Sequence, residues 1–285
     1  MRRSLVTLAL CLALAPSVAR AEERLTVVAT FSILADLTQR IGGDHVRVLS
    51  LVGPDGDAHV FEPGPREVGE LAEAGALVAN GLGLEPWLQR LQEASGFKGA
   101  TIIASDGIAS LPNDPHAFQD VSNAEIYAAN IQKGLSKADP AHAADFKANA
   151  DRLIADMAAL DGEIKAQFAA VPDERRRILT SHDAFAYFGK AYGIAFVAVQ
   201  GISTEAEPTA QDLAKIVRQA REGHVSAIFL ENMADPRLAE TVAQESGVRM
   251  GGELYADALS GPDGPAPDYL AMVRCNVQRL LAAMQ

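Results

Sequence analysis

Three histidines and one aspartate occupy loops in which they could meet around a metal ion. They are His59, His116, His182 and Asp257, and each lies in a stretch that contains Gly, Pro or Ser. Imidazole nitrogens and one carboxylate form a favourable tetrahedral set for Zn²⁺. Four protein ligands leave no position for a substrate water, so such a site binds metal rather than catalyses a reaction. A single loop histidine is more often an ordinary polar residue, so the hypothesis needs a fold that gathers all four.

Strand-like runs alternate with helix-like runs in both halves of the chain, which is the pattern of parallel sheets flanked by helices. The strand-like runs are "LTVVAT", "VRVLSL", "ALVAN" and "ATIIAS", and later "RRILTS", "IAFVAV", "VSAIFL" and "VRMGGEL". The intervening stretch 140–171 has helical apolar spacing and predicts one helix roughly 45 Å long. The predicted fold class is α/β, with two similar lobes, each a mostly parallel sheet flanked by helices, joined by one long rigid linker helix.

The chain divides into four predicted segments. Residues 1–21 read as a signal peptide, because a basic start and a short apolar run lead to the small-x-small ending Ala19-Arg20-Ala21. Residues 22–139 form the N-terminal α/β lobe, 140–171 the linker helix and 172–285 the C-terminal α/β lobe.

The leader and the charge limit where the protein acts and what it binds. A lipoprotein needs a small residue directly before an acylated cysteine, whereas Cys11 follows Leu10 inside the apolar run. We therefore expect an exported protein that is not lipid-anchored. The formal net charge of −12 excludes nucleic acid as a partner, because nucleic-acid binding depends on basic patches. Without the leader, Cys275 is the only cysteine, so no intramolecular disulfide is expected.

The four candidate ligands all follow predicted strands. In open α/β sheets, ligands bind beyond the carboxyl ends of the strands, so these loops belong to the binding face. His182 is expected at the first turn of a helix, where the positive end of the helix dipole keeps an imidazole neutral. The same dipole repels a cation, so Asp257 has to supply the compensating charge.

Five stretches resemble the metal-binding solute-binding proteins of ABC transporters that capture zinc or manganese. They are "GPDGDAHVFEP" (53–63), "NDPHAFQD" (113–120), "TSHDAFAYFGKAYG" (180–193), "EAEPTAQDLAKIV" (205–217) and "LYADALSG" (254–261). The resemblance covers essentially the whole mature chain. It implies two lobes joined by a helix, with the metal held between them by His59, His116, His182 and Asp257.

The resemblance also implies a cargo and partners. Manganese binders of this family have glutamate at the third ligand position and zinc binders have histidine, so His182 indicates Zn²⁺. Imidazole suits zinc, whereas oxygen ligands suit manganese. The implied function is high-affinity capture of Zn²⁺ in the periplasm, without catalysis, and delivery to an ABC-type importer. The expected partners are the membrane permease with its cytoplasmic ATPase, with a periplasmic metallochaperone as a further candidate, and the expected state is a monomer.

The sequence departs from the family pattern at three points. Ala58 stands where a proline usually precedes the first histidine, the long His-rich loop of many zinc members is absent, and so is the second-lobe disulfide that some carry. These departures leave the four ligands intact. They match a subgroup of zinc importers without the His-rich loop.

Three alternatives remain open. A manganese- or iron-binding protein of the same family would share the fold and differ in metal preference. A zinc-dependent peptidase would use His59, Glu62 and His182, but Pro63 follows Glu62 directly and no H-E-x-x-H motif is present. A metal-stabilised adhesin would bind a surface partner without a transporter.

Several other polar residues have a simpler interpretation. His45, His142 and His224 are interpreted as surface groups. Glu62 is expected to be exposed or to assist His59, while Glu205 and Glu207 are expected to be favourable acids at a helix start. Asp55 and Asp57 are predicted to hydrogen-bond the loop of His59.

Overall fold

The first half of the chain forms a four-stranded sheet in which all strands are parallel. The computed structural model describes residues 24–201, 204 and 209–285. The strands are β1 (Leu25–Phe31), β2 (Val46–Val52), β3 (Ala76–Ala79) and β4 (Ala100–Ile103), in the spatial order β2-β1-β3-β4. The helices are α1 (Ser32–Gly42), α2 (Pro65–Ala72), α3 (Leu88–Ser95) and α4 (Val121–Ala138). The central strand β1 is fully buried from Val27 to Phe31, as expected for a sheet covered on both faces.

One long helix, α5 (Ala143–Ala169), runs past both halves of the molecule. Its buried residues recur every three or four positions and form one apolar stripe: Phe146, Ala150, Leu153, Met157, Leu160, Ile164 and Phe168. The helix packs against α1 and α4 in the first half. Helix α5 is shorter than the segment 140–171, because Pro140–His142 forms a separate 3₁₀ turn and Pro172 excludes a continuation.

The second half repeats the architecture of the first. Its strands are β5 (Arg177–Thr180), β6 (Ala195–Ala198), β7 (Ala227–Glu231) and β8 (Met250–Leu254), all parallel and in the order β6-β5-β7-β8. The helices are α6 (Ala186–Tyr192), α7 (Ala210–Glu222), α8 (Pro236–Ser246) and α9 (Tyr269–Ala283). Helix α5 also contacts α6 and α9. The predicted α/β class with two parallel sheets flanked by helices is therefore confirmed, while the segment boundaries at residues 139 and 171 stay predictions.

The buried apolar residues form two separate clusters. The larger one is continuous across both sheets and includes residues of α1, α4, α5, α6 and α9. The smaller one lies on the other face of the second sheet, where α7 and α8 cover it: Leu179, Val199, Ile216, Ala220, Ile228, Ala239 and Val242. Because the larger cluster includes residues from both halves, the facing sides of the two halves are packed by one common core.

The leader predicted over residues 1–21 lies outside the described residues and stays a prediction. Among the helices of the described residues, none is both long and apolar enough to cross a bilayer.

Candidate metal centre

The fold brings all four predicted ligand residues together. Each of His59, His116, His182 and Asp257 offers one ligand atom, and these four atoms lie within 4.8 Å of one another. His59 is in the loop after β2 and His116 in the loop after β4, while His182 follows β5 and Asp257 follows β8. Two ligands therefore come from each sheet, beyond the carboxyl ends of the strands, where open α/β sheets bind ligands.

Four of the distances within this group are close to those of tetrahedral coordination. The Nε2 of His182 lies 3.1 Å from Oδ2 of Asp257, and the Nε2 of His59 lies 3.3 Å from the same oxygen. The Nε2 of His116 lies 3.5 Å from Oδ1 of Asp257 and 3.1 Å from Nε2 of His59. Ligand atoms at about 2.0–2.1 Å from a tetrahedral zinc ion are separated by about 3.3–3.4 Å. The side chains are thus spaced to surround one small ion.

Three atoms of the group are buried without a conventional partner. Within the described part of the chain, the Nε2 of His182 and both oxygens of Asp257 make no hydrogen bond of normal geometry. Buried polar atoms are almost always hydrogen-bonded, because leaving one unpaired is costly. These atoms face the imidazoles of the same group, so a cation between them would satisfy them.

His182 is oriented by Glu231, a residue that the sequence analysis missed. One carboxylate oxygen of Glu231 accepts the backbone N–H of His182 at 2.9 Å, and the other oxygen faces Nδ1 in a very short contact. Both residues are fully or almost fully buried. A carboxylate at Nδ1 fixes the tautomer in which the Nε2 lone pair faces the ion. The sequence signal that could have identified Glu231 is a charged residue at the end of the apolar strand "AIFLE", at the ligand-binding edge of the sheet.

His182 does not lie at the first turn of a helix. Helix α6 begins at Ala186, and the residues between it and β5 form an irregular turn in which Oγ1 of Thr180 donates a hydrogen bond to the carbonyl of His182. The prediction was wrong because the apolar spacing after His182 does not reveal where helical hydrogen bonding starts. The charges of Glu231 and Asp257, rather than a helix dipole, therefore control the imidazole.

His116 is held in the same way by Asp114. The Oδ1 of Asp114 accepts the backbone N–H of His116 at 2.9 Å and lies 2.8 Å from its Nδ1. The buried Asn80, at the end of β3, donates from Nδ2 to the carbonyl of Pro115 at 2.9 Å and accepts from the hydroxyl of Tyr127 at 2.6 Å. This second carboxylate–histidine pair was also missed, although the spacing D-x-H occurs both here and at His59.

The loop of His59 is fixed by Asp57 and Trp87. The Oδ1 of Asp57 accepts the backbone N–H of His59 at 2.8 Å, so the predicted role of Asp57 is confirmed. The indole N–H of the buried Trp87 donates to the carbonyl of Ala58 at 2.7 Å. His59 is 7% exposed, whereas the other three candidate ligands are 0% exposed. Solvent therefore reaches the site at His59.

The charges within the site reinforce one another. Burial alone would lower the pKa of His116, but the charge of Asp257 and the hydrogen bond to Asp114 raise it above its usual value. Burial likewise opposes the charged form of His182, yet Glu231 and Asp257 raise its pKa well above the ordinary range. For Asp257, burial favours the neutral acid, but His116 and His182 hold the pKa well below normal. The carboxylate is therefore ionised and available to a cation.

The remaining candidates lie elsewhere. Glu62 is exposed and is not a member of the ligand group, which leaves the peptidase arrangement with His59 and His182 without its carboxylate. His45 and His142 stack at 3.8 Å between ring centroids, each next to an aspartate, and His224 is exposed. Glu205 and Glu207 lie outside the described residues.

Comparison with known proteins places this site in a family. Residues 27–283 match the family described as "ZnuA: Zinc-uptake complex component A periplasmic". The chain belongs to this family. The ZnuA family consists of solute-binding components of ABC transporters, so the chain is a periplasmic metal-binding protein rather than an enzyme, and the peptidase alternative is unsupported. Such proteins work with a membrane permease and an ATPase, while the metallochaperone and the monomeric state stay predictions.

Two curated relatives of this ZnuA-family protein are named for iron. It is 32% identical over 267 residues to the iron-binding protein YfeA of Yersinia pestis, covering 90% of this chain and 86% of YfeA. It is 33% identical over 273 residues to the iron ABC transporter substrate-binding lipoprotein MtsA of Streptococcus pyogenes, covering 90% of this chain and 88% of MtsA. These names do not confirm the prediction of zinc.

The solved structures of similar proteins are described with different metals. The periplasmic zinc-binding protein TroA of Treponema pallidum has a TM-score of 0.88 at 26% identity, covering 92% of this chain and 99% of TroA. A manganese-bound periplasmic metal-binding protein of Candidatus Liberibacter asiaticus has a TM-score of 0.83 at 28% identity, covering 92% of this chain and all of that one. The two-lobed fold is therefore shared across proteins named for different metals.

The prediction of a protein without a lipid anchor is contradicted. MtsA and the relatives ScbA and SloC, of Streptococcus cristatus and Streptococcus mutans, are all named lipoproteins, which points to a lipid-anchored location. The prediction depended on the position of Cys11 within the leader, and residues 1–23 lie outside the described residues. The spacing of a leader cysteine was too weak a criterion for this conclusion.

Proposed function

We propose that the protein captures one divalent transition-metal ion with His59, His116, His182 and Asp257 and delivers it to its permease, with Zn²⁺ as the preferred cargo. The observation that carries this proposal is the convergence of three imidazole nitrogens and one carboxylate at tetrahedral spacing. A nitrogen-rich donor set of four suits zinc, whereas manganese prefers more oxygen ligands.

The surrounding carboxylates support the same assignment. Asp114 and Glu231 each contact the Nδ1 of a candidate ligand, so the imidazoles of His116 and His182 are oriented before an ion arrives. Carboxylate partners of this kind increase the basicity of the ligating nitrogen and fix the direction of its lone pair. Their negative charge also compensates for bringing a dication into a buried site.

A manganese- or iron-binding function is the second candidate, and the names of the curated relatives favour it over zinc. One feature of the site also supports it. Both oxygens of Asp257 face the group, at 3.1–3.5 Å from the imidazole nitrogens. Coordination by both oxygens would increase the number of oxygen ligands and create a site better suited to manganese or ferrous iron.

The test is to load metal-stripped protein with zinc, manganese or ferrous iron and to measure affinity, stoichiometry and coordination. Affinity alone is insufficient, because nitrogen and oxygen sites generally bind zinc more tightly than manganese. X-ray absorption of each loaded form would count and identify the donors. If zinc is the cargo, we expect one zinc ion per chain, coordinated by three nitrogens and one oxygen. The manganese-loaded protein is then expected to need additional oxygen donors from water.

The ligand set is tested by His182→Ala against His224→Ala, an exposed control. We expect the first substitution to weaken zinc binding by at least about a hundredfold, since ligand loss costs more than loss of a partner outside the coordination sphere. The control is expected to bind like the wild type. Unchanged zinc binding in His182→Ala would overturn the ligand set. A tighter or more regular site for ferrous iron or manganese than for zinc would establish the second candidate.

A further inference from the structure

Among the residues that the structure describes, the loop that carries His59 makes three hydrogen bonds to the opposite half of the molecule. Asp57 accepts the backbone N–H of His59 with Oδ1, and its Oδ2 accepts the hydroxyl of Thr204 at 2.6 Å. Thr204 lies in the connection after β6, and β6 occupies in the second sheet the place that β2 has in the first. A single carboxylate therefore joins a candidate ligand to the other sheet.

Asp55 makes the other two contacts. Its backbone N–H donates to the carbonyl of Leu259 at 2.9 Å, and its Oδ1 accepts from Nδ2 of Asn232 at 2.8 Å. Asn232 directly follows Glu231, the partner of His182. Asp55 also has a φ of 55°, a left-handed conformation that is uncommon for residues other than glycine. The loop thus adopts an unfavourable conformation while it reaches the second sheet.

These contacts are more accessible to water than those between other parts of the two halves. Asp55 is exposed and Asp57 is partly exposed. By contrast, the Gln119 side chain donates to the carbonyl of Ala256 at 2.6 Å and the Tyr269 hydroxyl to that of Phe118 at 2.8 Å, both in buried positions. Hydrogen bonds that water can replace contribute less net free energy, so the contacts of the His59 loop are expected to break first.

The comparison with His116 shows what is special about Asp57. Asp114 has the same place in a D-x-H stretch, but its Oδ1 accepts both from the backbone and from the ring of His116. Both of these contacts of the Asp114 carboxylate are therefore made to His116, two residues further along the chain. Asp57 instead uses its second oxygen for Thr204, at the side of a cleft of about 410 Å³ that also includes Val60.

We propose that Asp57 is a positioning residue that ties His59 to the second half of the molecule through Thr204, and that breaking this contact frees His59 and allows the ion to leave. The proposal rests on the proposed function. His59 is the one candidate ligand with a measurable exposed fraction, so its departure opens the site to solvent while the contacts of His116 with Asp114 and of His182 with Glu231 stay in place.

The test uses Thr204→Val in the full-length protein, with zinc as the probe. Valine keeps the shape of threonine and removes only the hydroxyl that reaches Asp57. Zinc-loaded protein is mixed with excess chelator, and the dissociation rate is measured by stopped flow. Loss of a hydrogen bond to a charged group predicts a rate about three- to tenfold faster than in the wild type. The association rate is expected to be unchanged, which a general structural defect would not produce.

Two controls separate this effect from others. Thr241→Val makes the same chemical change beside the same cleft, where the hydroxyl donates only to the carbonyl of Arg237 in its own helix. Arg40→Gln removes an ion pair in which Nη2 of Arg40 lies 2.8 Å from Oδ2 of Asp268. This ion pair joins the two halves at a position away from the His59 loop. Both variants are expected to release zinc at the wild-type rate.

The outcomes distinguish the two proposals. Equal rates in Thr204→Val and Thr241→Val, or faster release in Arg40→Gln, would overturn the role of Asp57 while leaving zinc capture intact. Asp57→Ala removes both contacts of the carboxylate and is expected to release zinc faster than Thr204→Val; a slower rate would also overturn it. A wild-type protein that retains no zinc, manganese or ferrous iron would overturn the proposed function and this inference with it.

Discussion

The carboxylate of Glu231 is shared between the backbone and the ring of a single residue, His182. One oxygen accepts the backbone N–H at 2.9 Å, and the other faces Nδ1, so the whole residue is held by one side chain. The side chains of Glu231 and His182 are both buried. The direction of the Nε2 lone pair is therefore set by a residue that does not itself belong to the ligand group.

Glu231→Gln is predicted to weaken zinc binding by about ten- to hundredfold while one ion per chain is still bound. Glutamine keeps an oxygen that accepts the backbone N–H of His182 but loses the charge that polarises its ring. Isothermal titration of the metal-stripped variant measures both quantities. Glu240→Gln, an exposed change of the same kind on α8, serves as the control. An affinity equal to that of the control would show that the ring does not depend on the carboxylate.

Zinc affinity is predicted to fall as the pH is lowered from 8 to 6. The pKa values of His116 and His182 are raised above 6.5 in the metal-free protein, so protons already compete with zinc near neutral pH. Each proton displaced makes the affinity change by up to about tenfold per pH unit. Titration in buffers of different ionisation enthalpy would measure the number of protons released. Release of no protons at pH 7 would contradict the raised pKa values.

The contribution of these histidines to the stability of the metal-free protein decreases as the pH rises, whereas zinc affinity increases. A histidine whose folded-state pKa is raised contributes stability that is fully present below about pH 6.5 and is lost as the pH rises through the raised value. The depressed pKa of Asp257 contributes stability above 3.8 that is lost only as the pH falls through the lower folded value. Thermal melts should therefore show a larger increase in Tm on adding zinc at pH 8 than at pH 6. An equal increase at both values would contradict this account.

Trp87→Phe is predicted to weaken zinc binding by a few-fold and to lower the free energy of unfolding by about 1–3 kcal/mol. The substitution removes the N–H that donates to the carbonyl of Ala58 and leaves that carbonyl unsatisfied beside His59. The control is Tyr192→Phe, which removes a hydroxyl at the end of α6 that donates to Asp161 at 3.1 Å and contacts none of the candidate ligands. We expect the control to change stability without changing zinc affinity, as measured by denaturation and calorimetry.

The sequence was sufficient to predict the architecture and to identify four polar residues that the fold brings together. Strand-like and helix-like runs alternate clearly, and polar residues directly after buried strands must share one edge of a parallel sheet. These rules place His59, His116, His182 and Asp257 on one face without any knowledge of distances. They do not predict the helix start at Ala186, because helix boundaries depend on hydrogen bonds that apolar spacing does not encode.

The partners of the ligands were harder to predict, for a physical reason. Glu231 reaches His182 from a neighbouring strand, and Thr204 reaches Asp57 from the opposite sheet, so both contacts depend on three-dimensional packing. Asp114 was accessible to sequence reasoning, since an aspartate two residues before a residue commonly accepts its backbone N–H. Neither the sequence pattern nor the packing determines which metal is bound, because similar proteins are named for zinc, manganese and iron.

The order of the ligands along the chain has a consequence for how the protein folds. His59 follows the second strand and Asp257 follows the last, so most of the chain lies between the two ends of the ligand group. No short segment can chelate the ion before both sheets have formed and met, and contacts of such long sequence separation form late. Zinc should therefore leave the refolding rate almost unchanged and slow unfolding instead, in contrast to small domains that are organised around their metal. An ion held by this group is therefore expected to stabilise a finished structure rather than to initiate folding.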